Sequence, residues 1–100
     1  MESLNAISFF VHAAELRSFS AAARQLGVSS SAIGKSITRL EEHLAVRLLH
    51  RSTRSITLTN EGALFLERCR KILTELEAAE LEIAQVQQAP RGQLRISLPL

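Results

Sequence analysis

A single glycine, Gly27, separates two helical patterns in the first half of this chain, and that separation limits what the chain can fold into. From Ser18 the sequence reads SFSAAARQLGVSSSAIGKSITRLEEHL. An alanine-rich stretch over 21–26 stops at Gly27, and a second pattern runs from Ser30 to about Leu44. Two helices joined by a turn of about four residues containing Gly are the sequence form of a helix-turn-helix. Ala22, Ala23 and Leu26 fall on one helix face, as do Ile33, Ile37, Leu40 and Leu44, which predicts two buried stripes. The small alanines allow the second helix to cross close to the first. Its polar face carries Ser30, Ser31, Gly34, Lys35, Thr38 and Arg39, with no acid before Glu41. Such a face fits a DNA major groove, where small side chains permit close approach and Lys or Arg reach guanine or phosphate. Taken alone, it equally fits the solvated side of a small helical domain.

Charge distribution separates these alternatives further. The net charge is only +2, but residues 17–58 hold seven Lys/Arg against two acids, a balance of +5. Residues 75–82 hold four Glu and no base. A basic head and an acidic segment suggest a module facing a polyanion, carried on a stalk. Cys69 is the only cysteine, so no internal disulfide forms, and its periodic apolar neighbours mark it as a small buried hydrophobe. No run reaches membrane-spanning length and no signal peptide is evident, so a cytoplasmic location without membrane partners is expected.

Along the chain, Ser3 is the expected N-cap of a first helix over 4–16, with Leu4, Ile7, Phe9, Phe10, Val11 and Ala14 on its apolar side. Ser18 or Ser20 caps the second helix, and Ser29 caps the third. Cap oxygens and unpaired helix N-termini also suit phosphate. After Ala45-Val46 an extended segment begins, and 50–55 is polar and basic. Ile56-Thr57-Leu58-Thr59 alternates as a half-buried strand does. These segments predict a two-stranded wing, with Arg51 bracing or touching a DNA backbone and Arg54 at the tip facing a minor groove; taken alone, arginines in such a loop fit a solvated tip better.

Thr59 or Asn60 then caps a long helix, since neither Gly nor Pro interrupts 63–89. Phe65, Cys69, Ile72, Leu76, Ala79, Ile83 and Val86 follow a strict heptad, and Leu64, Leu66 and Leu73 are assigned to packing on the first helix. A rod of roughly 40 Å cannot bury its whole seam on so small a head. A second copy is the expected partner, antiparallel so that Arg68, Arg70 and Lys71 approach the acidic far ends. Pro90 and Gly92 mark a hinge, and 93–98 alternates as a strand that would open a further domain. The expected organisation is therefore a winged helix-turn-helix over 1–58, a dimerisation helix over 59–89, and a hinge and first strand over 90–100. The fold class is mainly α: three helices plus a two-stranded β wing, then the long helix.

These residues resemble the N-terminal part of LysR-type transcriptional regulators. The resemblance runs through Phe9-Phe10-Val11, Ser18-Phe19-Ser20-x-Ala22-Ala23-x-x-Leu26-x-Val28-Ser29 and Ser31-Ala32-Ile33 to Ile37-x-x-Leu40-Glu41. It continues with Leu44-x-Val46-x-Leu48-Leu49-x-Arg51, Leu58-Thr59-x-x-Gly62 and Gly92-x-Leu94-Arg95-Ile96. It implies a winged helix-turn-helix, a linker helix pairing two subunits, and an effector-binding domain after the hinge. It also implies binding of pseudo-palindromic double-stranded promoter DNA by dimers or tetramers. Carried over by position, DNA contacts would come from Ser30, Ser31, Gly34, Lys35, Thr38 and Arg39, with Arg51 and Arg54 from the wing; the cap residues Ser18, Ser20 and Ser29 join them as residues at helix N-termini that suit phosphate. A small-molecule effector is expected only in the C-terminal domain, and no cofactor in this part. The chain departs from the common pattern where many members have Gln-Pro at Ser30-Ser31, Ser-Arg at Gly34-Lys35, and Gly at Ala45. Gly34 has no side chain to read a base and Lys35 cannot grip bidentately, so backbone-dominated affinity with strong salt dependence is expected.

Two other functions compete. A coiled-coil dimer whose head binds protein is disfavoured by the basic wing and the nearly acid-free third helix. An enzyme is disfavoured because His12, His43 and His50 are scattered, no nucleophile triad or phosphate-cradling loop is present, and the acids lie mainly on the stalk. No catalytic or metal-ligating residues are assigned. RNA binding lacks exposed aromatics for stacking.

Overall fold

The computed structural model describes residues 2–52 and 55–88. It contains α1 (Glu2–Leu16), α2 (Phe19–Leu26), α3 (Ser30–Leu44), β1 (Leu49–Arg51), β2 (Ile56–Leu58) and α4 (Asn60–Gln88). This is the expected order of three helices, a two-stranded wing and a long helix. Arg54 and the expected hinge and strand over 90–100 lie outside the described residues.

Each short helix ends where its residues dictate. Ser18 Oγ accepts the Ala21 amide at 3.0 Å, and Ser29 Oγ accepts the Ala32 amide at 3.0 Å. Each thereby satisfies one of the N–H groups a helix leaves unpaired. Of the two candidate caps for α2, Ser18 does the capping. Gly27 closes α2 in the left-handed conformation, φ 71°, and its N–H donates to the Ala23 carbonyl. Ala45 closes α3 in the same conformation, φ 59°, where a Cβ is unfavourable by about 1–2 kcal/mol. Ser3 is not a cap: α1 already begins at Glu2.

The core is α1 wrapped by the other elements. Phe10 and Ala13 are fully buried, together with Val11 and Ala14, Ala22 and Ala23, Ile33 and Ile37, and Leu48, Leu49 and Ile56. Burying a side chain the size of Phe10 contributes about 1.5–3 kcal/mol. Ala13 escaped the sequence assignment because it lies on the flank of the stripe, on the side of Phe10 away from Val11 and Ala14. Leu44, assigned to the buried face of α3, is 37% exposed, since the last turn of α3 runs past the core. The wing is antiparallel, pairing Leu49 with Leu58, His50 with Thr57 and Arg51 with Ile56. Leu49 and Ile56 point inward, and His50 and Thr57 outward.

A compact latch joins the wing to α4. Thr59 Oγ1 donates to the Arg47 carbonyl at 2.6 Å and accepts the Gly62 amide at 2.9 Å. The Thr59 amide donates to the Leu48 carbonyl at 3.0 Å. Thr59, buried, is therefore the cap of α4. Gly62 lies against the Leu48 carbonyl so closely that a Cβ would collide with that oxygen and come within 3.1 Å of Leu58 Cδ2.

Two expectations for α4 need correction. Leu66 is buried and Leu73 packs on the core, but Leu64 is 64% exposed and does not pack on α1. A step of two residues from Leu64 to Leu66 carries the side chain to the far side of the helix. The heptad seam also divides. Cys69 is fully buried, and Phe65 lies half-buried with its ring centroid 5.6 Å from that of Phe10. These first two seam positions belong to this chain's own core, because the first turns of α4 lie on α1, and Cys69 is closed to a second chain. Burial pushes the Cys69 thiol up to about 11, as desolvation of the thiolate requires. Ile72, Leu76, Ala79, Ile83 and Val86 remain exposed, as the far half of an unpartnered seam.

Gly62→Ala should destabilise the fold by about 1–3 kcal/mol through overpacking, read as a lower urea midpoint at unchanged slope. Ala45→Gly should stabilise it by roughly 0.5–1 kcal/mol, the relief of the left-handed strain less the added unfolded-chain entropy. An unchanged midpoint for both would contradict the latch and the cap.

Candidate nucleic-acid interface

The exposed side of α3 and the base of the wing share one open groove. Ser31, Gly34, Lys35, Thr38 and Arg39 line it from α3, and Arg51 lines it from β1. Helical spacing accounts for the α3 set: 31, 34, 35, 38 and 39 repeat at three and four residues, opposite buried Ile33 and Ile37. Of the eleven residues expected to contact DNA, the structure gathers these six. Ser29 and Ser30 stand at the open N-terminus of α3, and Ser18 and Ser20 at that of α2. Ser20, Ser29 and Ser30 are exposed.

Several of these side chains already have partners. The Ser18 and Ser29 oxygens are occupied as caps but keep a hydroxyl proton to donate. Thr38 Oγ1 donates to the Gly34 carbonyl at 2.9 Å, leaving its oxygen able to accept. Gly34 is not required by space, since a Cβ there would meet only the Phe19 ring at 3.8 Å, an ordinary contact. Lys35 and Arg39 are exposed, with no ion pair among the described residues.

Glu41 is the residue that sequence reasoning missed. The sequence marked it as the first acid on a polar face and as part of the family pattern, with no structural role, yet it is 8% exposed and lies inside the fold. Its Oε2 accepts the amides of Leu48 at 2.8 Å and Leu49 at 3.2 Å, and its Oε1 accepts Arg51 Nη2 at 3.3 Å. The Arg51 guanidinium also lies over the Phe19 ring, 5.2 Å from its centroid, a cation–π arrangement. The available signal was spacing: Glu41 follows Ile37 by four, on the buried stripe. With Glu41 turned inward and paired, no acid lines the groove.

His12 and the Glu15–Arg70 pair hold structural places. His12 Nδ1 lies 2.8 Å from the Ser8 carbonyl, one turn back on α1. Glu15 and Arg70 form an exposed pair at 2.8 Å between α1 and α4, a contact worth about 0–1 kcal/mol. Among the described residues no three His, Cys, Asp or Glu side chains gather in a way that could hold a metal ion, and no helix is long and apolar enough to cross a membrane.

Comparison with known proteins agrees with this architecture. A family model described as bacterial regulatory helix-turn-helix protein, lysR family, matches residues 4–63. The HTH-type transcriptional regulator CrgA of Neisseria meningitidis serogroup C (strain 8013) is 46% identical over 90 residues, covering 90% of this chain and 30% of the relative. An HTH-type transcriptional regulator of Xanthomonas campestris pv. campestris (strain 8004) is 45% identical over 96 residues, covering 96% of this chain and 28% of the relative. The chain thus spans under a third of the length of these curated relatives. Among solved structures, the BenM DBD complex with catB site 1 DNA superposes with a TM-score of 0.81 at 28% identity, covering 87% of this chain and 97% of that one. The CbnR DBD–DNA complex gives 0.74 at 36% identity, covering 86% and 98%. With more than half its length matched by the family model, the chain belongs to the LysR family of bacterial regulatory helix-turn-helix proteins.

Proposed function

We propose that this chain is the sequence-specific, double-stranded-DNA-binding and dimerisation module of a LysR-type transcriptional regulator, acting in the cytoplasm and without catalysis. The groove lined by Ser31, Gly34, Lys35, Thr38, Arg39 and Arg51 carries this proposal. It is basic, rich in hydroxyls and free of acid. It lies on a helix whose first-turn amides are open at Ser30 and Ser31. The DNA present in the BenM and CbnR complexes is in keeping with it. In this arrangement α3 enters the major groove, Lys35 and Arg39 reach guanine or phosphate, and the wing, with Arg54, follows the adjacent minor groove. The hydroxyls of Ser18, Ser20, Ser29 and Ser30 contact the backbone at the helix N-termini.

Dimerisation is assigned to the part of the seam that this chain does not bury, Ile72, Leu76, Ala79, Ile83 and Val86, with Phe65 at its edge. Two copies aligned antiparallel bring Arg68 and Lys71 of one toward Glu77, Glu80 and Glu82 of the other. Head, linker helix and hinge divide at about residues 58 and 89. The chain's small share of its relatives leaves room for a C-terminal domain that binds a small-molecule effector.

Selection from a random duplex pool at two salt concentrations should enrich a motif with two-fold symmetry. Unselective binding at both would remove the sequence-specific function. Lys35→Ala and Arg39→Ala should each lower affinity and reduce the slope of log K against log salt by about 0.9 per lost phosphate contact. A slope unchanged in both variants would place the contacts elsewhere. Sedimentation should give a dimer that Leu76→Glu with Ile83→Glu converts to a monomer, and a wild-type monomer at all concentrations would rule out the pairing.

A further inference from the structure

The buried Glu41 does more than its place in the core requires. We infer that Glu41 is a positioning residue that aims Arg51 at a DNA phosphate, a role resting on the DNA-binding function proposed above. One carboxylate performs two tasks. Its Oε2 collects the Leu48 and Leu49 amides where the chain enters β1, and its Oε1 holds Arg51 Nη2 two residues farther on. The backbone that carries Arg51 and the guanidinium itself are therefore tied to the same turn of α3. Phe19, at the start of α2, supports the guanidinium from its flat side.

What remains open is an edge of the guanidinium. Arg51 has five N–H donors. Nη2 is its one nitrogen with a hydrogen-bonding partner among the described residues, and the side chain keeps 30% exposure while lining the groove. A planar fork held on one edge and one face presents its other edge to the groove, where it matches the oxygens of a phosphate. An unrestrained arginine would have to surrender rotamer freedom on binding, and this one has already done so. The recognition helix and the wing contact are thereby set at a fixed separation.

Electrostatics alone predicts the opposite effect of removing Glu41, which gives a decisive sign. Glu41→Gln makes the protein more positive, so a purely Coulombic role would strengthen DNA binding. Positioning predicts weaker binding, because the Gln amide has one acceptor oxygen for three donors and its NH2 opposes one of them.

The test is a double-mutant cycle on a duplex recovered from the random pool, with Glu41→Gln, Arg51→Ala and the pair, each checked by a thermal melt. Glu41→Gln should weaken binding about tenfold, the worth of one charge-assisted hydrogen bond, with Arg51 present and less than about twofold in the Arg51→Ala background. Scanning the duplex with single methylphosphonates should reveal one phosphate whose neutralisation weakens the wild type but not Glu41→Gln. Equal losses in both backgrounds would show that Glu41 only maintains the fold, and tighter or unchanged binding would also overturn the inference. If Glu41→Gln does not melt cooperatively, Phe19→Leu takes its place in the cycle. It removes the aromatic face, leaves the Leu48 and Leu49 amides paired, and is held to the same outcomes. Wild-type protein that binds no duplex would refute the proposed function itself, whereas wild-type binding with an additive cycle would refute only the positioning role.

Discussion

The amides of Leu48 and Leu49 meet the side-chain oxygen of Glu41 just where the chain leaves α3 and turns into the wing. Two buried N–H groups without acceptors would each cost about 1–3 kcal/mol, and a three-residue strand has no other neighbour to supply them. The remaining structure depends on this contact. It permits Leu48 and Leu49 to enter the core, so β1 can pair with β2 in the observed register. The Leu48 carbonyl is left facing the Thr59 amide and Gly62. One carboxylate on α3 thus determines where the wing starts, and the wing determines where α4 starts.

This dependence explains which parts of the fold were legible in the sequence. Periodic features were: the stripe of Ile33 and Ile37, the alternation of Ile56 to Leu58, which stops where Thr59 turns inward, and the unbroken run that becomes α4. Local capping was also legible, because Ser18 and Ser29 act on amides three residues away. Glu41 was not, because a charged residue is read as exposed until its distant partners are known, and those partners are two amides and an arginine seven to ten positions on. The burial of Cys69 was legible, but its place on the dimerisation seam failed for a related reason. A heptad count identifies a stripe on a helix but not where along its length one neighbour gives way to solvent. Here the first turns of α4 lie on α1, so Cys69 enters the core while Ile72 and the positions beyond it stay open.

The candidate site shows the same division. Five of the six groove residues come from the face of a single helix and follow from its spacing. The sixth, Arg51, comes from the wing. It was singled out in the sequence as a wing residue, but its partners within the chain, Glu41 and Phe19, come from two other elements that only the tertiary fold brings together. Gly34 also acquires a meaning from the fold. Because a Cβ would fit beside Phe19, the absent side chain is a property of the surface presented to a partner and not a requirement of packing.

The latch at Thr59 has a mechanical consequence. The first turn of α4 is fastened by two hydrogen bonds from Thr59 to the Arg47 and Leu48 carbonyls just before β1, by the Thr59 cap on the Gly62 amide, and by a glycine with no room to spare. From there to Gln88 the helix has no break. Head and rod therefore behave as one stiff lever. A torque applied at the far end of α4 would not dissipate at its root, and a small rotation there would swing the groove of α3 through a proportionate arc.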